Sequence, residues 1–145
     1  MKTLQEIEKE VAKLARRVRA SLLDMPTYGA SRDGAHPHVE VKDGLYHYVV
    51  VERGEEGDRQ SSADFDDLVY WIFKSVTHNM AFFPEDMARI VDQDCRRVAF
   101  PKQIMLMKRL GPKMGERLER DIAEILRQAP YDDERTKALN RMRKT

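Results

Sequence analysis

The stretch at residues 63–83, ADFDDLVYWIFKSVTHNMAFF, constrains the fold more than any other in the chain. At about 100° per residue, Phe65, Leu68, Val69, Ile72, Phe73, Val76, Met80 and Phe83 fall within one arc, the apolar stripe of an amphipathic helix. Asp64 suits the cap of its first turn, and Asp66 and Asp67 sit where the positive end of the helix dipole favours acids. Trp71, the only tryptophan, lies off that stripe and shares a second flank with Ser75, His78 and Phe82. Two apolar sectors imply two packed neighbours, so this segment is expected to be the central helix of the fold.

What surrounds it is expected to be a small antiparallel sheet and further helices. Thr3 and Glu6 have the spacing of a capping box at the start of a helix over residues 3–23, with Leu4, Ile7, Val11, Leu14 and Val18 as its seam. Residues 27–37 read as loop. His38 to Val41 alternates, Lys42-Asp43-Gly44 is a hairpin signal, and residues 45–53 are β-branched and aromatic. A turn at residues 54–57 and a polar strand over 58–62 complete a three-stranded meander. Beyond the central helix, Pro84 starts a helix whose stripe is Met87, Ile90, Val91, Cys95 and Val98. Pro101 kinks or restarts it, and Gly111-Pro112 separates it from a last helix with Met114, Leu118, Ile122 and Ile125. The order is α-β-β-β-α-α-α, an α+β fold. One domain over residues 1–130 is expected, followed by a charged tail over 131–145.

Composition bounds the function. With 26 basic and 25 acidic residues the net charge is +1, which argues against a general polyanion binder. The basic residues of the first helix (Lys9, Lys13, Arg16, Arg17, Arg19) are interleaved with Glu6, Glu8 and Glu10, the pattern of a solvated face. No apolar run suits a membrane span or a signal peptide. The single cysteine leaves no internal disulfide, as expected for the cytoplasm.

Motif chemistry is sparse. His36, His38 and His47 raise the question of a metal site, but no cysteine pair and no HExxH motif accompanies them, and loop and sheet histidines are the simpler reading. Cys95 falls on an apolar stripe beside Asp94, which reads as core packing. No phosphate-binding loop, dinucleotide fingerprint or nucleophile elbow occurs. The carboxylate pairs carry no partner that would split their proton affinities. No catalytic residue, metal or cofactor is therefore assigned. The run Asp92-Gln93-Asp94-Cys95-Arg96-Arg97 is different, packing two acids and two bases into six residues. It reads either as internal pairing of Asp92 with Arg96 or as a charged recognition surface. With Tyr46, Tyr48 and Arg53, residue types enriched at protein interfaces, the candidate partner-binding set is Tyr46, Tyr48, Arg53, Asp92, Asp94, Arg96 and Arg97.

Several blocks resemble a known family in the same order. They are His38-Val39-Glu40-Val41, then Tyr46-His47-Tyr48-Val49-Val50-Val51-Glu52-Arg53-Gly54, then Asp67-Leu68-Val69-Tyr70-Trp71-Ile72-Phe73 with Val76-Thr77. Asp94-Cys95-Arg96-Arg97, Phe100, Lys102-Gln103 and Pro130-Tyr131-Asp132-Asp133 follow. Together they are similar to bacterial polymorphic-toxin immunity proteins of the immunity protein 63 family. Pro101 stands where that resemblance implies an ordinary helix former. The resemblance implies an antidote without catalytic activity, whose partner is a cognate toxin domain encoded nearby. From charge and hydropathy neither nucleic acid nor membrane is expected as a partner, and a monomer or weak homodimer is the expected state. A non-catalytic adaptor is the alternative. A metal enzyme built on the three histidines and a nucleic-acid-binding first helix are weaker readings.

Overall fold

The computed structural model describes residues 1–143. Among them it holds five α-helices and a four-stranded sheet, an α+β architecture. It divides into two compact units, the first ending at Val76 and the second beginning at Thr77.

The first unit opens with α1 (Leu4–Arg17), closed at its start by the capping box read from the sequence. The Thr3 hydroxyl accepts the Glu6 N–H, and the Glu6 carboxylate accepts the Thr3 N–H. The helix ends six residues before the end of the 3–23 span expected, because Arg19 takes a left-handed φ of 57° that an α-helix cannot contain. A single 3-10 turn, Leu22–Asp24, follows, capped by the Ser21 hydroxyl. The buried stripe is Ile7, Val11, Ala15 and Val18, and Leu4 and Leu14 are half-buried beside it.

The sheet comprises β1 (Thr27–Tyr28), β2 (Pro37–Lys42), β3 (Leu45–Glu52) and β4 (Glu55–Ser62), in that spatial order. The pairs β2–β3 and β3–β4 are antiparallel, and β1 runs parallel to β2. The sheet is thus four-stranded and mixed rather than a three-stranded meander. Two residues carry no periodicity, which is why β1 reads as loop. The β2–β3 turn is Asp43-Gly44, with φ of 53° and 73°, the two positive values that a type I′ hairpin needs. The β3–β4 turn is Arg53-Gly54, with φ of 54° and 76°. The second turn is tighter than the 54–57 loop expected, so β4 starts three residues earlier, at Glu55.

Helix α2 (Phe65–Phe82) begins in the first unit, and the division between units falls within it. At its start Asp64 accepts the Asp66 N–H, and the Ser62 hydroxyl donates to Asp67. Tyr46 packs edge-on against Phe65, ring centres 5.6 Å apart, and its hydroxyl accepts the Lys2 N–H at 2.8 Å. Leu68, Val69, Ile72, Phe73 and Val76 are buried as the stripe requires, but so are Tyr70 and Thr77. Phe83 lies past the helix end and is 74% exposed.

In the second unit, a 3-10 turn (Glu85–Arg89) and irregular chain precede α3 (Arg96–Leu110), α4 (Pro112–Gln128) and α5 (Asp133–Arg143). The helix expected over 84–98 does not form: Asp92 takes φ 59°, and α3 starts only after it. Cys95 consequently caps α3 with its side chain exposed, and is not core packing. Helix α3 runs through Pro101, whose ring faces solvent. Gln103 is buried and donates to Thr77, and Phe82 packs edge-on against Phe100. Where α4 crosses α3, Gly115 is buried, and a methyl group there would fall 2.3 Å from Lys108 Cγ and 3.3 Å from Lys108 Cα. Among the described residues no helix is long and apolar enough to cross a membrane.

Candidate functional site

The alternation of β2 puts His38 and Glu40 on one face, and the register brings Val49 and His47 of β3 opposite them, with Arg59 and Ser61 of β4 beyond. His38 Nε2 lies 2.6 Å from the Glu40 carboxylate, with the ring 4% exposed. Arg59 joins Glu40, at 3.3 Å, to Glu56, at 2.6 Å. The hydrogen bond from His38, then that from Arg59, holds Glu40 below the usual carboxylate range, and Arg59 does the same for Glu56. Buried His38 Nδ1 has no hydrogen-bond partner among the described residues. His47 sits apart: Nε2 donates to the Lys42 carbonyl at 3.1 Å, and Nδ1 accepts from the Ser61 hydroxyl at 2.6 Å. His36 donates from Nε2 to the Met25 carbonyl. The three histidines therefore face three different partners, and no group of three His, Cys, Asp or Glu among the described residues converges as a metal site would require.

The first unit also carries an open cleft of about 390 Å³ between α1 and β1, with Glu8 and Tyr28 among its walls. Burial, reinforced by Glu8, raises the Tyr28 hydroxyl above its ordinary range. Leu22 and Leu23 are 65% and 81% exposed, Leu22 being part of that cleft's wall.

In the second unit the charged run is a joint. The Asp94 carboxylate accepts the Arg96 N–H at 3.0 Å, the Asp132 N–H at 3.1 Å and the Arg96 guanidinium at 2.8 Å. The Asp94 N–H in turn donates to Asp133. These bonds, Arg96 foremost, hold the Asp94 carboxyl at about 2. Arg96 also donates to the Ala129 and Pro130 carbonyls, so it closes the end of α4 as well as the start of α3. Arg97 lies 4.5 Å over the Tyr131 ring and pairs with Asp133 at 2.9 Å. Asp92 receives a hydrogen bond from Asn140 of α5. The expected Asp92–Arg96 pairing is replaced by Asp94–Arg96, because the non-helical backbone at Asp92 destroys the i,i+4 spacing.

Of the seven candidate binding residues, the structure brings Asp92, Asp94, Arg96 and Arg97 into this joint. Arg53 is exposed in the β3–β4 turn of the first unit. Tyr46 and Tyr48 are 3% and 8% exposed and point inward, so their rings serve packing. The His38–Glu40–Arg59 array escaped the sequence reading, although the alternation of β2 already places His38 and Glu40 on one face. The Arg97–Tyr131 stack left no local signal, since its partners are far apart in the chain.

The model of the immunity protein 63 family matches residues 42–124, more than half of the chain, from the β2–β3 turn into α4. The chain belongs to the immunity protein 63 family. No curated protein and no solved structure matches it. The immunity protein 63 match includes β3, β4, α2, α3 and the Asp94–Arg96 pair, but stops short of Tyr131, Asp132 and Asp133. The half of the joint supplied by the C-terminal segment thus lies outside the matched region.

Proposed function

We propose that the chain is an antidote that binds a cognate bacterial toxin domain in the cytoplasm of the producing cell and neutralises it by occupying the toxin's active site or an adjoining surface. Membership of the immunity protein 63 family is the observation that carries this reading. Inhibition of this kind requires a stable complex and no catalysis. Interfaces of tight inhibitors bury about 1,600 Å² in total, about 800 Å² from each partner, and the latter is a small share of the 9407 Å² this chain exposes. Among the candidate residues, exposed Arg53, Asp92 and Arg97 are offered as partner contacts, each within its own unit. Asp94 and Arg96 hold the segments that present Arg97. The seven-residue set is narrowed accordingly, with Tyr46 and Tyr48 left to packing.

The test is rescue of growth. The C-terminal domain encoded next to this gene is expressed in a sensitive bacterium with and without the chain. Arrest relieved by co-expression, together with co-purification of the two proteins, supports the antidote reading. A harmless neighbour, or toxicity that co-expression leaves unchanged, overturns it in favour of a non-catalytic adaptor.

A further inference from the structure

The two edges of the sheet are unequal. Strand β1 is two residues long and offers little for another strand to pair with. Strand β4 is eight residues long, contains no proline and no lysine, and among the described residues is hydrogen-bonded in the sheet to β3 alone. Of the usual guards of an open edge, β4 lacks short length, lysine and proline, and carries a bulge confined to its Glu56–Asp58 end together with charged side chains.

The register identifies the backbone groups that the edge presents. In a two-residue hairpin the flanking pair, here Lys42 and Leu45, exchanges both hydrogen bonds. Alternation then directs His47 and Val49 to β2, and it leaves Pro37, which has no N–H, opposite Val50 in a pair that needs none. Tyr46, Tyr48 and Val50 must therefore bond to Ser62, Gln60 and Asp58 of β4. The residues between them, Arg59 and Ser61, direct their N–H and C=O groups away from the sheet. The irregularity between Val50 and Val51 leaves Gly57 without a ladder partner, so Glu56 also lies on the outward side.

Charge says what fits there. Residues 52–67, which include this strand, carry seven acidic and two basic residues. A second copy presenting the same edge would meet like charge, and so would a nucleic acid. We propose that the β4 edge receives an extended, lysine- or arginine-bearing segment of the toxin domain as an added strand. Main-chain hydrogen bonds at Arg59 and Ser61 supply the pairing, and Glu55 and Asp58 supply the charge selection. This deepens the antidote reading and rests on it.

The experiment uses the toxin domain that passes the rescue assay, in complex with the full chain. Amide exchange is followed at Arg59 and Ser61, and affinity is measured for Ser61→Ala, Ser61→Pro and the double variant Glu55→Lys/Asp58→Lys. Ser61→Ala loses the hydroxyl bonded to His47 but keeps the outward N–H, and is expected to bind within about twofold of the parent. Ser61→Pro removes that N–H and is expected to weaken binding about tenfold or more. The charge-reversed variant is expected to lose affinity more at low salt than at high salt. Both amides gain protection in the complex. If Ser61→Pro does not fold, the other two variants and the amide protection in the parent decide. A complex that forms with Arg59 and Ser61 unprotected and all variants binding like the parent overturns the added strand while the antidote reading stands. A homodimer that Ser61→Pro dissolves assigns the edge to a second copy and also overturns it. Failure of rescue removes the antidote reading first.

Discussion

Asp94→Asn is the most informative single substitution, because it removes one charge and almost no volume. In the parent the carboxylate binds the Arg96 side chain and the backbone N–H groups of Arg96 and Asp132 at once. A carboxyl held at about 2 rather than its ordinary 3.8 corresponds to about 2 kcal/mol favouring the charged form in the folded state. Solvent near a side chain that is still 10% exposed trims this to about 1–2 kcal/mol. The sign follows from the depressed value: the contribution is complete above about pH 4, where the unfolded group is ionised, and disappears as pH falls through about 2. Asparagine never has it. Urea denaturation followed by circular dichroism is therefore expected to place the variant about 1–2 kcal/mol below the parent at neutral pH. For a chain of this size that is a loss of about 3–6 °C in melting temperature. The two stabilities converge near pH 2, where a protonated aspartate and an asparagine are nearly the same group. The Asp132 amide exchanges faster in the variant at neutral pH. Equal stabilities at neutral pH, or a deficit that stays constant down to pH 2, would refute the reasoning.

Two further perturbations probe the two units separately. In the first, Tyr46→Phe deletes the acceptor of the Lys2 N–H at 2.8 Å while leaving the ring against Phe65, and costs about 1 kcal/mol in a denaturation curve with unchanged slope. In the second, Gly115→Ala adds a methyl group 2.3 Å from Lys108 Cγ; the overlap outweighs the gain of about 1 kcal/mol in helix propensity, so stability falls by about 1 kcal/mol. Adding Lys108→Ala to that variant removes the closest atom and recovers part of the loss, a coupling read from the double-mutant cycle.

How much of this was legible in the chain varies by element for physical reasons. The cap of α1 and the β2–β3 hairpin were legible because each rests on residues within three or four positions, as Thr3 with Glu6 and Asp43 with Gly44 show, whereas the β3–β4 turn was read one residue late and two residues too long. The stripe of α2 was legible through its period, although the helix is buried beyond that stripe, with Tyr70 and Thr77 inside. Residues 84–95 misled because Met87, Ile90 and Val91 keep a helical spacing, while the backbone of Asp92, whose carboxylate accepts from Asn140 far along the chain, leaves the helical region. Tyr46 and Tyr48 looked like contact residues because tyrosine suits interfaces and strands equally. Only the packing of β3, where four consecutive residues from Tyr46 to Val49 are buried, separates the two uses. In the charged run the residue types pointed to strong pairing, but the choice of Asp94 over Asp92 depended on where α3 starts.

The strand order has a consequence for timing. Every strand pairs with its neighbour in the chain, and residues 27–62 contain the whole sheet. Hairpins joined by two-residue turns form in about 1–10 μs, whereas a ribosome adds about 5–20 residues each second. Each strand of such a sheet is therefore waiting for the next to be synthesised, never searching for a distant one. The interval between starting the chain and having this sheet's strands available to pair is thus set by translation.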